Sequence, residues 1–134
     1  METLRDQLKR HEGYRQHPYE DSVGKLTVGY GRNLDDVGVS EVEADIMLKN
    51  DMDSAKATLT LYLPWAKRLS QARFDVLHNM AFNRGIGKLV GFVKMLSALR
   101  AGDFDKAADE MLDSLWAQQV GTRATELAAQ MRNG

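Results

Sequence analysis

Cysteine is missing from all 134 residues, which removes disulfides, thiolate nucleophiles and the commonest structural zinc ligands together. The three histidines, His11, His17 and His78, stand at spacings that suggest no metal site, so neither a metal nor a cofactor is expected. Long apolar runs are absent too: none approaches the roughly 18 residues that cross a bilayer, and stable membrane insertion is not expected. Met1–Arg10 lacks the uninterrupted apolar stretch of a secretory signal. The expectation is a protein made in the cytoplasm that meets any external substrate only after release or delivery. Charge of one sign is scarce as well, with a formal net charge of −1. Residues 1–60 hold 8 Lys/Arg against 12 Asp/Glu and residues 61–134 hold 10 against 7. No basic stripe capable of neutralising many phosphates results, which argues against nucleic acid as a partner. Repeats, low-complexity tracts and coiled-coil heptads are missing, and a monomer is expected.

What is present is ordinary globular composition, 43% hydrophobic and 28% charged, in a length suited to one domain. Leu4, Leu8 and Glu12 recur at helical spacing before Gly13, which predicts a first helix with these three on one inward face. Ser22-Val23-Gly24-Lys25 can turn, and Leu26-Thr27-Val28-Gly29-Tyr30-Gly31 alternates large with small, which predicts a β-hairpin. Leu26, Val28 and Tyr30 would share one face, leaving Thr27, Gly29 and Gly31 on an open one. Ser40-Glu41-Val42-Glu43 has the form of a capping box, followed by the stripe Ala44, Leu48, Met52, Ala55 and Leu59. That long helix should end at Leu63-Pro64. Beyond it, Ser70, Asp103, Ser114 and Thr122 can cap successive short helices. The expected fold is α+β in one domain, 1–134. A small first lobe with a short antiparallel sheet and the long connecting helix covers about 1–63, and an all-helical lobe covers about 64–134.

Hydrolysis of a glycosidic bond needs an acid to protonate the leaving oxygen and a second polar group to stabilise positive charge or activate water. Glu12, Asp21 and Thr27 can meet that need. A carboxyl at a helix C-terminus faces the negative end of the dipole, and an inward position disfavours charge further, so both conditions favour Glu12 as an acid. Asp21, where the hairpin begins to turn, should be better solvated and ionised, giving two carboxylates with separate roles. The structural alternative is that Glu12 is a solvated helix end and Asp21 bonds its own backbone.

His11-Glu12-Gly13, Tyr19-Glu20-Asp21 and Gly24-Lys25-Leu26-Thr27-Val28-Gly29-Tyr30-Gly31 resemble the Glu, Asp and Thr triad of the phage-type lysozymes. Eight residues separate Glu12 from Asp21 and five separate Asp21 from Thr27, which matches that family. Asn79-Met80-Ala81-Phe82-Asn83, Gly91-Phe92 and the Trp116, Gln119, Arg123 series resemble a second block of it. The resemblance implies a two-lobed lysozyme fold and cleavage of the peptidoglycan glycan strand after N-acetylmuramic acid. It implies Glu12 as general acid, Asp21 as base or electrostatic stabiliser, and Thr27 as the residue that holds water. The family is associated with inversion, a course that sets the carboxyls about 6.5–9.5 Å apart. Phe82 matches a substrate-contacting phenylalanine, Arg123 an arginine that pairs with the acid, and Trp116 a core position. Asn33, Met95 and Glu110 stand where the family has other substrate-contacting residues, and Gly29 and Gly31 complete the expected substrate-binding set. The short interval between hairpin and long helix implies a more open cleft. A non-catalytic peptidoglycan-binding module and a lytic transglycosylase are the competing readings; intact Glu12, Asp21 and Thr27 argue against both.

Overall fold

Thr3 starts the first helix, α1 (Leu4–Glu12): its hydroxyl accepts from Asp6 N at 3.1 Å, and the Gly13 N–H closes the other end on Lys9 O at 2.9 Å. This computed structural model describes every residue, Met1–Gly134, as two units, Met1–Met47 and Leu48–Gly134.

The first unit carries α1 and a three-stranded antiparallel sheet, β1 (Arg15–Glu20), β2 (Leu26–Gly29) and β3 (Arg32–Asn33), in that spatial order. Tyr19 pairs with Thr27 and Glu20 with Leu26, but the register shifts between Arg15 and Tyr19. Pro18 lies in that interval and has no N–H for the ladder, a sufficient reason for the irregularity. β2 then pairs with β3 through Thr27–Asn33 and Val28–Arg32, so the strand stops at Gly29 and turns through Tyr30 and Gly31. Gly29 and Gly31 have φ of 68° and 78°, the left-handed region where a side chain is strained.

Two sequence expectations fail in this unit. The leucine face of α1 does not bury: Leu4 is 69% and Leu8 47% exposed, and Glu12 is exposed with them. The faces of β2 are reversed, with Thr27 only 4% exposed while Leu26 and Tyr30 lie open. Thr27 sits in the central strand, paired with Tyr19 on one side and Asn33 on the other, whereas Leu26 has Glu20 as its β1 partner and stays exposed. Periodicity reports which residues share a face, and the surrounding elements decide which face is covered.

The capping box forms as predicted: Glu43 N donates to Ser40 Oγ at 3.2 Å and Ser40 N to Glu43 Oε1 at 2.9 Å. It opens α2 (Glu41–Tyr62), which contains the boundary between the units and ends before Pro64. Of its predicted stripe Leu59 is buried, whereas Leu48 and Met52 remain exposed.

The second unit continues with a 3₁₀ turn (Pro64–Arg68), α3 (Gln71–Arg84), α4 (Ile86–Leu89), α5 (Val93–Arg100), α6 (Phe104–Leu112), α7 (Leu115–Val120) and α8 (Thr122–Asn133). Its core is apolar throughout, and α6 packs against both α5 and α8. Ser70, Asp103 and Ser114 cap α3, α6 and α7. Thr122 does not cap α8: Gly121, at φ 60°, takes that position and Thr122 is the first helical residue. α3 stops at its C-cap Gly85, as the glycines at 85 and 87 predict, and a short α4 that the sequence did not suggest begins directly after it. No helix is long and apolar enough to cross a membrane.

Candidate active site

Glu12, Asp21 and Thr27 all belong to the first unit, on the end of α1, the β1–β2 turn and the centre of β2. Asp21 organises its turn: Oδ1 accepts from Val23 N at 2.9 Å and from Lys25 N at 2.8 Å, and Asp21 N donates to Lys25 O at 2.9 Å. The Thr27 hydroxyl donates to the same Lys25 carbonyl at 3.0 Å. Lys25 therefore links the two side chains, its amide held by the aspartate and its carbonyl by the threonine. With its one proton engaged, Thr27 Oγ1 can offer only lone pairs to a further partner.

Glu12 leaves the last turn of α1 beside the Gly29–Gly31 turn. A Cβ added at Gly31 would stand 2.7 Å from Glu12 Oε2, so the carboxyl lies directly against the bare glycine. Tyr30 ties that turn back to the end of α1: its ring centroid is 5.7 Å from that of Tyr14, and Lys9 Nζ lies 5.3 Å from it.

Asn33 is committed to its own loop, with Oδ1 accepting from Asp36 N at 2.9 Å and Nδ2 donating to Asp36 Oδ2 at 3.0 Å. Next to it, Arg32 donates to Gly38 O at 3.0 Å and grips the Glu43 carboxylate with both terminal nitrogens. The guanidinium, with the Ser40 amide and hydroxyl, lowers the Glu43 carboxyl from its ordinary value to about 2.

The remaining predicted residues belong to the second unit. Phe82 is 42% exposed and lines a cavity of about 390 Å³ with Leu48, Met52, His78, Asn79 and Arg123. Arg123 donates from Nε and Nη2 to Asn79 Oδ1 at 3.0 and 2.7 Å, and His78 Nε2 lies 2.7 Å from Met52 O. Met95 and Glu110 line a second cavity, of about 640 Å³, with Arg84, Lys88 and Lys94 among its other walls. Met95 is 1% exposed and is part of the core. Trp116 is buried as predicted, its ring edge-on to Phe92 at 6.0 Å and its Nε1–H donating to Asn83 Oδ1 at 3.2 Å. No group of three or more His, Asp or Glu side chains is arranged to hold a metal ion.

Sequence reasoning did not find the Gly31–Glu12 contact, the Tyr14–Tyr30–Lys9 cluster, the Arg32–Glu43 pair or Asn79 as the partner of Arg123. Each joins residues distant in sequence. The one available signal was a pair of tyrosines flanking the segment from helix end to glycine turn.

A helix-borne glutamate, a small antiparallel sheet with a turn aspartate and a buried threonine, and a second, helical unit make up an α+β lysozyme fold. Residues 9–132 match the phage lysozyme family. The chain is 28% identical to the pre-baseplate central spike protein Gp5 of Enterobacteria phage T4, over 93% of this chain and 27% of that protein. It is 29% identical to an endolysin of Acyrthosiphon pisum secondary endosymbiont phage 1, over 87% of this chain and 80% of the relative. With an endolysin of Bacillus phage B103 the identity is 32%, over 78% of this chain and 41% of the relative. The chain belongs to the phage lysozyme family. It spans about a quarter of the spike protein and well under half of the B103 endolysin.

Proposed function

We propose that this chain is a muramidase that hydrolyses the β-1,4 bond between N-acetylmuramic acid and N-acetylglucosamine and so lyses the bacterial wall. Glu12 protonates the leaving oxygen. Asp21 acts as base or stabilises positive charge at the anomeric carbon, and Thr27 holds the attacking water. The observation that carries the reading is the coupling of Asp21 and Thr27 through Lys25. It ties a turn carboxylate to a strand hydroxyl through one residue, and the hydroxyl can act only as acceptor toward water, leaving that water's own lone pair to attack sugar. Attack by water on the face opposite the acid gives inversion.

The glycan strand is the partner, bound by a monomer after release or delivery to the wall. Phe82 supplies an exposed aromatic face for a sugar ring. Gly29, Gly31, Asn33 and Glu110 complete the substrate-binding set; Met95, expected to join them, is 1% exposed and belongs to the core, so it is left out. Arg123, expected to orient the acid, is instead engaged with Asn79 of its own unit.

Mass spectrometry of purified peptidoglycan digested by wild type and by Glu12→Gln tests the reading. Reducing muramic-acid ends that fall by roughly two orders of magnitude or more in a folded variant are expected. Anhydro ends would make it a transglycosylase, and undiminished cleavage by the variant would remove Glu12 from its role.

A further inference from the structure

Three atoms of Glu12 crowd the position a side chain would take at residue 31. A Cβ there would lie 2.7 Å from Oε2, 3.0 Å from Cδ and 3.3 Å from Cγ. Gly29, in the same turn and also at positive φ, would meet nothing within 4 Å. The crowding therefore comes from Glu12 alone and is not a general property of the turn. Position 31 is also fixed relative to the helix, because Tyr30 packs on Tyr14 and beneath Lys9, residues on either side of Glu12 in the chain.

We propose that Gly31 is a positioning residue for the Glu12 carboxyl, its bare Cα forming the wall that sets the direction in which the acid points. This assigns Gly31 a role through Glu12 in addition to any contact with sugar, and it rests on the reading of Glu12 as the acid. Any L-side chain at 31 takes the volume the carboxyl now fills. The displaced atoms are the far end of a flexible side chain, so the fold can accept the substitution by rotating Glu12 away. What is lost is aim, and a misplacement of about 1 Å at a reacting group can cost about a hundredfold in rate.

The test compares Gly31→Ala with Gly38→Ala. Gly38 has a similar φ of 69° but only an ordinary 4.0 Å contact to Leu34 O, so it reports backbone strain without touching Glu12. Both variants should lower Tm to a similar degree. Gly31→Ala alone should lower kcat by about a hundredfold with KM changed by less than about threefold. It alone should also shift the carbon-13 carboxyl signal of Glu12. An unmoved Glu12 signal in Gly31→Ala would overturn the contact, and a moved signal with unchanged kcat would overturn the positioning role. The carbon-13 measurement needs no substrate, so it judges the Gly31 contact even if Glu12→Gln proves fully active and the acid assignment falls.

Discussion

Arg32 holds the Glu43 carboxylate while the same carboxylate accepts the Ser40 amide, so a side chain of β3 clamps the first turn of α2. The capping box alone would tie two neighbouring turns of chain. The arginine extends it across the loop that joins the sheet to the long helix, and its hold on Gly38 O pins that loop as well. In a unit with no buried apolar side chain, this polar junction takes on the ordering that a core would otherwise supply.

The clamp should show in the acid limb of stability. Folding lowers the Glu43 carboxyl from 4.5 to about 2, first through Arg32 and then through Ser40. A lowered carboxyl contributes stability that is fully present above the unfolded value and is lost as pH falls through the folded one. Arg32→Gln should therefore have a lower Tm than wild type near neutral pH, with the gap narrowing from about pH 4.5 downward and closing near about pH 2. Thermal unfolding across that range checks it; a gap that does not vary with pH would rule out the linkage.

Asp21 combines a backbone task with a proposed chemical one, and two substitutions separate them. Asp21→Asn keeps an Oδ1 able to accept from Val23 and Lys25, so it should fold like wild type while losing activity. Asp21→Ala should lose activity and about 0.5–2 kcal/mol of stability, the range measured when a side chain that caps backbone N–H groups is removed. Parallel activity and urea-denaturation measurements decide. Full activity in Asp21→Asn would leave the aspartate with its turn alone.

Apolar burial is confined to the second unit, and stability should follow it. Met111→Ala, at a fully buried site in α6, should cost about 2–5 kcal/mol, whereas Leu4→Ala, on the exposed face of α1, should change stability by less than about 0.5 kcal/mol. Amides of α1 and of the sheet should exchange with deuterium before those of α6 and α8. Equal protection in both groups would contradict this distribution.

Trp116 joins two elements through its indole, donating to Asn83 on α3 and meeting Phe92 edge-on. Trp116→Phe keeps an aromatic ring but leaves Asn83 without its donor. A loss of about 0.5–1.5 kcal/mol for the hydrogen bond is expected, plus the cost of the smaller ring. The companion variant Asn83→Ala separates these, because a double-mutant cycle isolates the coupling; a coupling of zero would show that packing alone accounts for the effect.

Local chemistry was legible in the chain because the groups involved are neighbours. The Ser40–Glu43 box, the Ser70, Asp103 and Ser114 caps, the stop at Pro64 and the turn before Leu26 each need only a few consecutive residues. The places where sequence reading failed needed a partner from elsewhere. Leu4 and Leu8 lie on one face of α1 as their spacing requires, yet nothing in the first unit covers that face. Thr122 looked like a cap, but the sharp φ of 60° at Gly121 put the helix start one residue earlier.

The identity and spacing of Glu12, Asp21 and Thr27 were fixed by the sequence, because helix pitch and turn length carry a residue to its element without help from the rest of the chain. Their working surroundings were settled only in three dimensions. Which face of β2 is covered, that Lys25 couples the aspartate to the threonine, and that Gly31 lies bare against the Glu12 carboxyl all depend on strand register and on how the turn folds back to α1. Those contacts arise between segments whose separation along the chain says nothing about their separation in space.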